Sequence, residues 1–424
     1  MNGGLKIIHT SDWHLGKKLL KKDRLPEQRL FLDWLISHIK KENIQALFIS
    51  GDIFDTPSPS HQAVKLYFNF LHDLSSQTSC QVFIIGGNHD SGIFLEAPSA
   101  LLSDKKIHLC GTLADHTSFF HLVSHQPESN QYVVVAMLPF FRNFEILHFN
   151  HLENEPQSPL DGFLDKFKQQ LKYFIQQAQQ DNKIISKVFL LAHHLFGSYI
   201  PAGSEQALFL SGVDSISPKV FAQEVDYLAL GHIHQFQVVS KSTPYAVYSG
   251  SPYPLRFGES NQKFLHQIEV TLQAQISYQK VLIPEFRKLI TLELSQKEFV
   301  HQIEQFLQSN TLVTLPYQLD ALVEIKMNLS GPQTGLSDQL RTIFKDLPAE
   351  VLSLKFSYPQ TKEYDQDLQD KTMASLHSPE ELFKLFFKHK FPHKELSEKQ
   401  LQVFNQLLEK AGQKLDNSSA QDEK

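Results

Sequence analysis

The feature that most restricts this chain is a repeated punctuation, in which short apolar runs each break off into Asp, Asn or His. Ala46-Leu47-Phe48-Ile49-Ser50 is followed at once by Gly51-Asp52-Ile53-Phe54-Asp55. A continuous apolar run of that length reads as a parallel strand buried on both faces. A carboxylate just past its end lies in the crevice where open α/β sheets keep their chemistry. A single Asp there is as easily a helix cap. The same event recurs, however: residues 6–10 lead into Asp12 and His14, 81–85 into Asn88, His89 and Asp90, 187–192 into His193-His194, and 226–230 into His232 and His234.

Between these runs the apolar period changes to that of helices. Leu30, Phe31, Trp34, Leu35 and Ile39 mark a helix over about 27–41, and Val64, Tyr67, Phe68 and Leu71 one over 61–74. A basic, polar loop is expected at 17–24, and a polar insertion at 150–162 precedes a Gln-rich helix over 163–180. Strand, loop, helix, strand is the order of a layered α/β protein with helices outside its sheets. After Pro284 the composition shifts, and 288–358 reads as β-α-β-α-β with strands at 289–294, 321–328 and 350–358 and helices at 297–308 and 337–346. A polar linker over 360–375 then leads to two amphipathic helices within 379–411. The first carries the capping box Ser378-Pro379-Glu380-Glu381 and the apolar residues Leu382, Phe383, Leu385, Phe386 and Phe387. The second opens at Ser397 and Gln400, carries Leu401, Phe404, Leu407 and Leu408, and stops at Gly412. Four units follow: 1–285, 286–360, 376–412, and a tail over 413–424 expected to be disordered.

Composition removes several classes. With two cysteines, Cys80 and Cys110, in 424 residues, neither a disulfide framework nor thiolate metal ligation is expected. No run approaches the 18 or so apolar residues of a membrane span, and the N-terminus has no secretory pattern, so a cytoplasmic protein is the expectation. The net charge of −6 does not announce a nucleic-acid binder, though a metal site or a partner subunit can supply the positive field that phosphate needs.

Asp, Asn and His together suit Mn²⁺, Fe²⁺, Zn²⁺ or Mg²⁺ rather than a thiolate-seeking ion. Two ions about 3.5–4 Å apart need a shared carboxylate with separate ligands on either side. Asp12 and His14 can serve one ion, since alternate residues leaving a strand point the same way. His232 and His234 have the same spacing and can serve one ion or two. Asp52, with two oxygens in the central motif, is the natural bridge.

Taken in order, Asp12-Trp13-His14, Gly51-Asp52-Ile53-Phe54-Asp55, Gly87-Asn88-His89-Asp90, Ala192-His193-His194 and Gly231-His232-Ile233-His234 resemble the motifs of the calcineurin-like metallophosphoesterases. Ser11-Asp12-Trp13-His14-Leu15-Gly16 and Tyr248-Ser249-Gly250-Ser251-Pro252 are similar, more narrowly, to the bacterial SbcD nuclease-subunit family. The resemblance implies a layered metallophosphoesterase β-sandwich flanked by helices over 1–285, a small α+β capping domain over 286–360, and C-terminal helices over 376–412 that bind an SbcC-like ATPase. It implies two Mn²⁺ ions, one held by Asp12, His14, Asp52 and His234, the other by Asp52, Asn88, His232 and one of His193 and His194. His89 would be catalytic, near the leaving oxygen, and Asp55 or Asp90 could orient an imidazole. The activity implied is hydrolysis of double-stranded or hairpin DNA by a homodimer within a heterotetramer, away from membranes. No Gly-x-x-x-x-Gly-Lys-Ser/Thr sequence occurs, so ATP dependence would come from the partner. A phosphatase or phosphodiesterase for small substrates and an inactive scaffold are the alternatives. The phenylalanines of the C-terminal helices either pack back on the body or dock on the partner.

Overall fold

The computed structural model describes residues 4–114, 119–126, 128, 130–149, 158–201, 215–309, 318–331, 333–358, 383–384, 387 and 396–405. Two units are separable, Met1–Ser357 and Tyr358–Lys424.

The first unit begins with β1 (Leu5–Thr10), a ribbon β2 (Lys18–Leu19) and β3 (Lys22–Asp23), α1 (Leu25–Glu42), β4 (Ala46–Ser50), α2 (His61–Gln77) and β5 (Gln81–Ile85). Short helices α3 (Gly92–Glu96) and α4 (Ser99–Leu102) lead to β6 (Ile107–Cys110), β7 (Phe120–Gln126), β8 (Gln131–Leu138), α5 (Asn143–Phe149), α6 (Pro159–Gln180) and β9 (Ile184–Ala192). Then come β10 (Tyr227–Leu230), β11 (Gln237–Ser240), β12 (Tyr245–Tyr248), β13 (Lys263–Val270) and β14 (Ile276–Ile283). The last stretch is β15 (Leu289–Ser295), α7 (Phe299–Ser309), β16 (Ala321–Asn328), α8 (Leu336–Ile343) and β17 (Ala349–Ser357).

Two six-stranded sheets, ordered β14-β13-β1-β4-β5-β6 and β11-β12-β10-β9-β8-β7, face each other. Strand alternation decides what each residue meets. On β4, Ala46 and Phe48 point into the core between the sheets, whereas Leu47 and Ile49 meet α1 and α2 on the outside. Phe48 joins the layers, its ring 5.7 Å from Phe83 of its own sheet and 6.3 Å from Phe189 of the opposite one, both edge-on. The second sheet is covered by α6 through Phe163, Leu164, Phe167 and Leu171. Strands β1, β4, β5 and β6 run parallel, as do β8, β9, β10 and β12, so their carboxyl ends bring the motif-bearing loops of both sheets together.

One polar chain crosses the sandwich. Tyr227 on β10 places its hydroxyl 2.8 Å from His9 Nδ1 on β1 and 2.7 Å from His266 Nδ1 on β13, all three rings being buried. Burial pushes both imidazoles down, His266 to about 4.

The third sheet, β15-β16-β17, is parallel and carries its own apolar cluster around Val323, Ile325 and Leu340. A buried ion cluster fastens it to the sandwich: Glu27 of α1 accepts from Arg24 Nε at 2.5 Å and from Arg287 Nε at 3.0 Å, and Arg287 donates onward to the Asp320 carbonyl. Leu19, Leu289 and Leu322 pack together beside it.

Several boundaries differ from the sequence expectation. The basic loop at 17–24 contains the β2–β3 ribbon. Helix α6 starts at Pro159 rather than 163, because a proline in the first turn needs no hydrogen bond there and already has helical φ. Helix α8 ends at Ile343, three residues before Asp346. In the second unit, residues 398–405 are helical and Phe383 stacks on Phe404 with centroids 4.0 Å apart and planes at 6°. Most of the expected 379–411 helices, including Leu382, Leu385, Phe386, Leu407 and Leu408, lie outside the described residues.

Candidate metal centre

The structure brings the strand-end residues to one place. Oxygens and ring nitrogens of Asp12, His14, Asp52 and His234 lie within 4.8 Å of one another, as do those of Asp52, His193 and His232. Asp52 belongs to both groups. Its Oδ2 is buried without a hydrogen bond, 3.5 Å from His14 Nε2 and 3.4 Å from His193 Nε2. Asn88 joins the second group, its Oδ1 3.1 Å from His193 Nε2 and 3.0 Å from His232 Nδ1.

The backbone that delivers these side chains is not extended. Asp12, His14, Asp52 and His232 have φ of 54°, 44°, 53° and 99°. Asp12 and His14 share a destination because both residues are left-handed, not because strand alternation carries on beyond β1. Such conformations cost on the order of 1–3 kcal/mol each away from glycine and persist where surrounding bonds over-determine them. Here Asp12 N donates to the Gly51 carbonyl and His14 N to that of Asp52, both at 3.0 Å. His232 N donates to Asp12 Oδ1 and His89 N to Asp52 Oδ1, both at 2.9 Å. Gly87 must lack a side chain, since a Cβ would overlap the Asp52 carboxylate.

Neighbours fix which nitrogen each imidazole presents. His14 Nδ1 donates to Asp55 Oδ1 at 3.2 Å, and His193 Nδ1 donates to the Ser50 carbonyl at 2.7 Å. Both therefore turn Nε2 toward Asp52. His14 Nε2 also lies 3.2 Å from His234 Nε2, a close approach of two buried nitrogens that a shared cation or proton satisfies. His194 turns away: its Nε2 accepts from Phe141 N at 3.0 Å, and its ring packs on Phe140 and Phe141. His89 donates from Nδ1 to the Asp55 carbonyl at 2.8 Å, and its ring stands 4.7 Å from that of His14. The Asp55 carboxylate thus orients His14 and holds Lys17 Nζ at 2.8 Å, while its carbonyl orients His89. Asp90 touches no imidazole in this arrangement; it accepts from the backbone N–H groups of Ile53, Phe54 and Gly87 and so shapes the Asp52 loop.

Charge crowds this pocket. Burial pushes the Asp12 carboxyl up to about 6 against the attraction of His193. Burial likewise opposes charge on Asp52 and His193, yet their contact wins, holding Asp52 well below the carboxylate range and lifting His193 to about 9. Burial and the nearby His193 charge press His232 down to about 3. Neutral imidazoles, two buried carboxylates and an orphaned oxygen between them form a donor set that divalent cations fit.

Sequence reasoning missed the supporting cast. Ser11 donates to Asp12 Oδ2 at 2.5 Å and lies 2.8 Å from Ser249 Oγ. Gln28 donates to the His14 carbonyl at 3.1 Å, and Tyr253 to that of Trp13. Serine, glutamine and tyrosine are too common for type alone to single them out; only the turn at 248–252 carried a signal.

With this geometry in hand, comparison with known proteins defines the class. Residues 5–236 match the calcineurin-like phosphoesterase family, and the chain belongs to it, as a metal-dependent phosphoesterase. Residues 285–391 match a second family, the type 5 capsule protein repressor C-terminal domain. More particularly, the whole chain is similar to SbcD, a subunit of the nuclease SbcCD. The Escherichia coli SbcD protein is 25% identical over 409 residues, covering 95% of this chain and 97% of the relative. That of Bacillus subtilis is 28% identical over 291 residues, covering 68% and 71%. That of Rhodobacter capsulatus is 26% identical over 367 residues, covering 84% and 88%.

Proposed function

We propose that this chain is the nuclease subunit of an SbcC–SbcD type assembly, hydrolysing DNA phosphodiester bonds with two Mn²⁺ ions. The observation that carries the reading is the pair of ligand groups sharing the buried, unsatisfied carboxylate of Asp52. Asp12, His14, Asp52 and His234 would hold one ion, and Asp52, Asn88, His193 and His232 the other. Relatives named as nuclease subunits along the full length support DNA as the substrate and an SbcC-like ATPase as the partner. In this reading residues 286–360 cap the cleft, and the helical segment within 376–412 meets the partner.

Bound divalent ions generate a nucleophile from water near neutral pH and offset charge on the phosphoryl oxygens. The protein's residues do the rest. Ser11, Asp55 and Ser50 hold the Asp12, His14 and His193 ligands at fixed angles. His89, anchored through Nδ1, has its second proton on Nε2 when protonated. As the water oxygen bonds to phosphorus and the ester P–O bond breaks, the departing oxygen takes the proton from that atom. The proton of the attacking water leaves to solvent.

The test is cleavage of a labelled blunt DNA duplex and of bis-p-nitrophenyl phosphate with Mn²⁺, wild type beside His89→Ala. DNA cleavage that falls at least about a hundredfold in the variant is expected. Turnover of the small ester with intact DNA, even after adding the ATPase partner and ATP, would replace the nuclease by a small-substrate phosphodiesterase. No turnover of either would leave a scaffold.

A further inference from the structure

Lys263, the first residue of β13, is 7% exposed and lies outside every motif above. Lysine is seldom buried at this level unless paired. Its ammonium has three donors, and three acceptors meet them: Glu259 Oε2 at 2.9 Å, Ser251 Oγ at 2.9 Å and the backbone carbonyl of His234 at 3.2 Å. A buried ion pair is a poor way to gain stability, because apolar residues of similar volume serve as well or better. What this pair does supply is a fixed point one peptide unit from a candidate metal ligand.

The His234 carbonyl is gripped from a second side. Ser251 N donates to it at 3.1 Å, and Gly250, at φ 75°, lets the turn come close enough that a Cβ would stand 2.8 Å from the same oxygen. The other end of that turn serves Asp12, since Ser249 Oγ meets Ser11 Oγ, which donates to the Asp12 carboxylate. Two ligands of the first group, one leaving each sheet, therefore depend on a single turn, and Lys263 ties that turn to His234. The second group has separate supports, with His193 held on Ser50 and His232 against Asn88.

We propose that Lys263, held by Glu259, is a positioning residue for the ion at Asp12, His14, Asp52 and His234, acting through the His234 carbonyl and the 249–251 turn. The inference rests on the metal-centre reading above. Outer contacts of this kind set the angle at which a ligand meets its ion, and their loss typically weakens metal affinity about 10–100-fold.

The experiment is calorimetric titration of the full chain with Mn²⁺ alone, with thermal melts of the metal-free proteins in parallel. The principal variant is Lys263→Met with Glu259→Gln, which removes both charges and keeps an oxygen to accept from Leu255 N, 3.1 Å from the Glu259 carboxylate. One of the two Mn²⁺ affinities should fall by about 10–100-fold while the other stays within about threefold. A lower melting temperature with both affinities as in wild type would show a purely structural pair and overturn the proposal; so would equal loss at both sites. If the double variant does not fold, Ser251→Ala decides, because it removes one of the ammonium's three acceptors and must weaken the same single site. Absence of Mn²⁺ binding by the wild-type chain would instead refute the metal-centre reading itself.

Discussion

Acid should weaken this protein through His266, and the effect can be sized. The His266 ring is buried between the sheets against Tyr227, and burial lowers it from the usual 6.5 to about 4. A group depressed in this way is neutral in the folded protein while the unfolded chain takes up a proton. Its contribution is complete above the unfolded pKa of 6.5 and is lost as pH falls from 6.5 toward 4. The full difference is about 3 kcal/mol, at 1.36 kcal/mol for each pKa unit. Between pH 7.5 and 5.0 the loss from this one ring is about 2 kcal/mol. His9, depressed by burial on the other side of the same hydroxyl, acts in the same direction. The assay is urea unfolding of metal-free protein at both pH values, wild type against His266→Asn, which cannot titrate but still offers Tyr227 an acceptor. Other groups that titrate in both proteins cancel in the comparison. The wild type should lose about 2 kcal/mol more than the variant on acidification. Equal losses within about 0.5 kcal/mol would refute the assignment of this buried ring as a neutral group.

Gly87→Ala should leave the fold standing and cut Mn²⁺ affinity at both sites by at least about tenfold, because the new Cβ displaces the shared Asp52 carboxylate; calorimetry reads it. Phe48→Ala should cost about 3–5 kcal/mol in chemical denaturation, since its ring fills the space between Phe83 and Phe189. Mn²⁺ at 100 times its dissociation constant should stabilise the wild type by about 2.7 kcal/mol per independent site, a rise in melting temperature that chelation reverses.

The sandwich was legible because apolar runs such as 46–50 and 81–85 are buried on both faces, and nothing except a covered parallel strand explains them. The ligand groups were legible for a related reason, as each run ends in a residue type that a strand end does not otherwise require. The path of the chain after each run was not. Strand periodicity says nothing of the left-handed turns at Asp12, His14 and Asp52, which are set by bonds to Gly51 and Asp52 from outside their own segment. The choice within His193-His194 was equally hidden: it depends on Ser50 and Phe141, far away in sequence. Lys263 escaped notice because burial, the one property that distinguishes it, is tertiary.

The left-handed residues also divide the chemistry of substitution in a way that charge alone does not. At Asp12 and Asp52 the backbone accepts asparagine or glycine with little complaint and resists longer or branched side chains. Glutamate preserves the carboxylate there and is still the poorer replacement, while asparagine removes the charge and keeps the shape. Sequence change at these positions is therefore filtered twice, once by the ion and once by the peptide torsions, and the second filter operates even in a chain that never meets a metal.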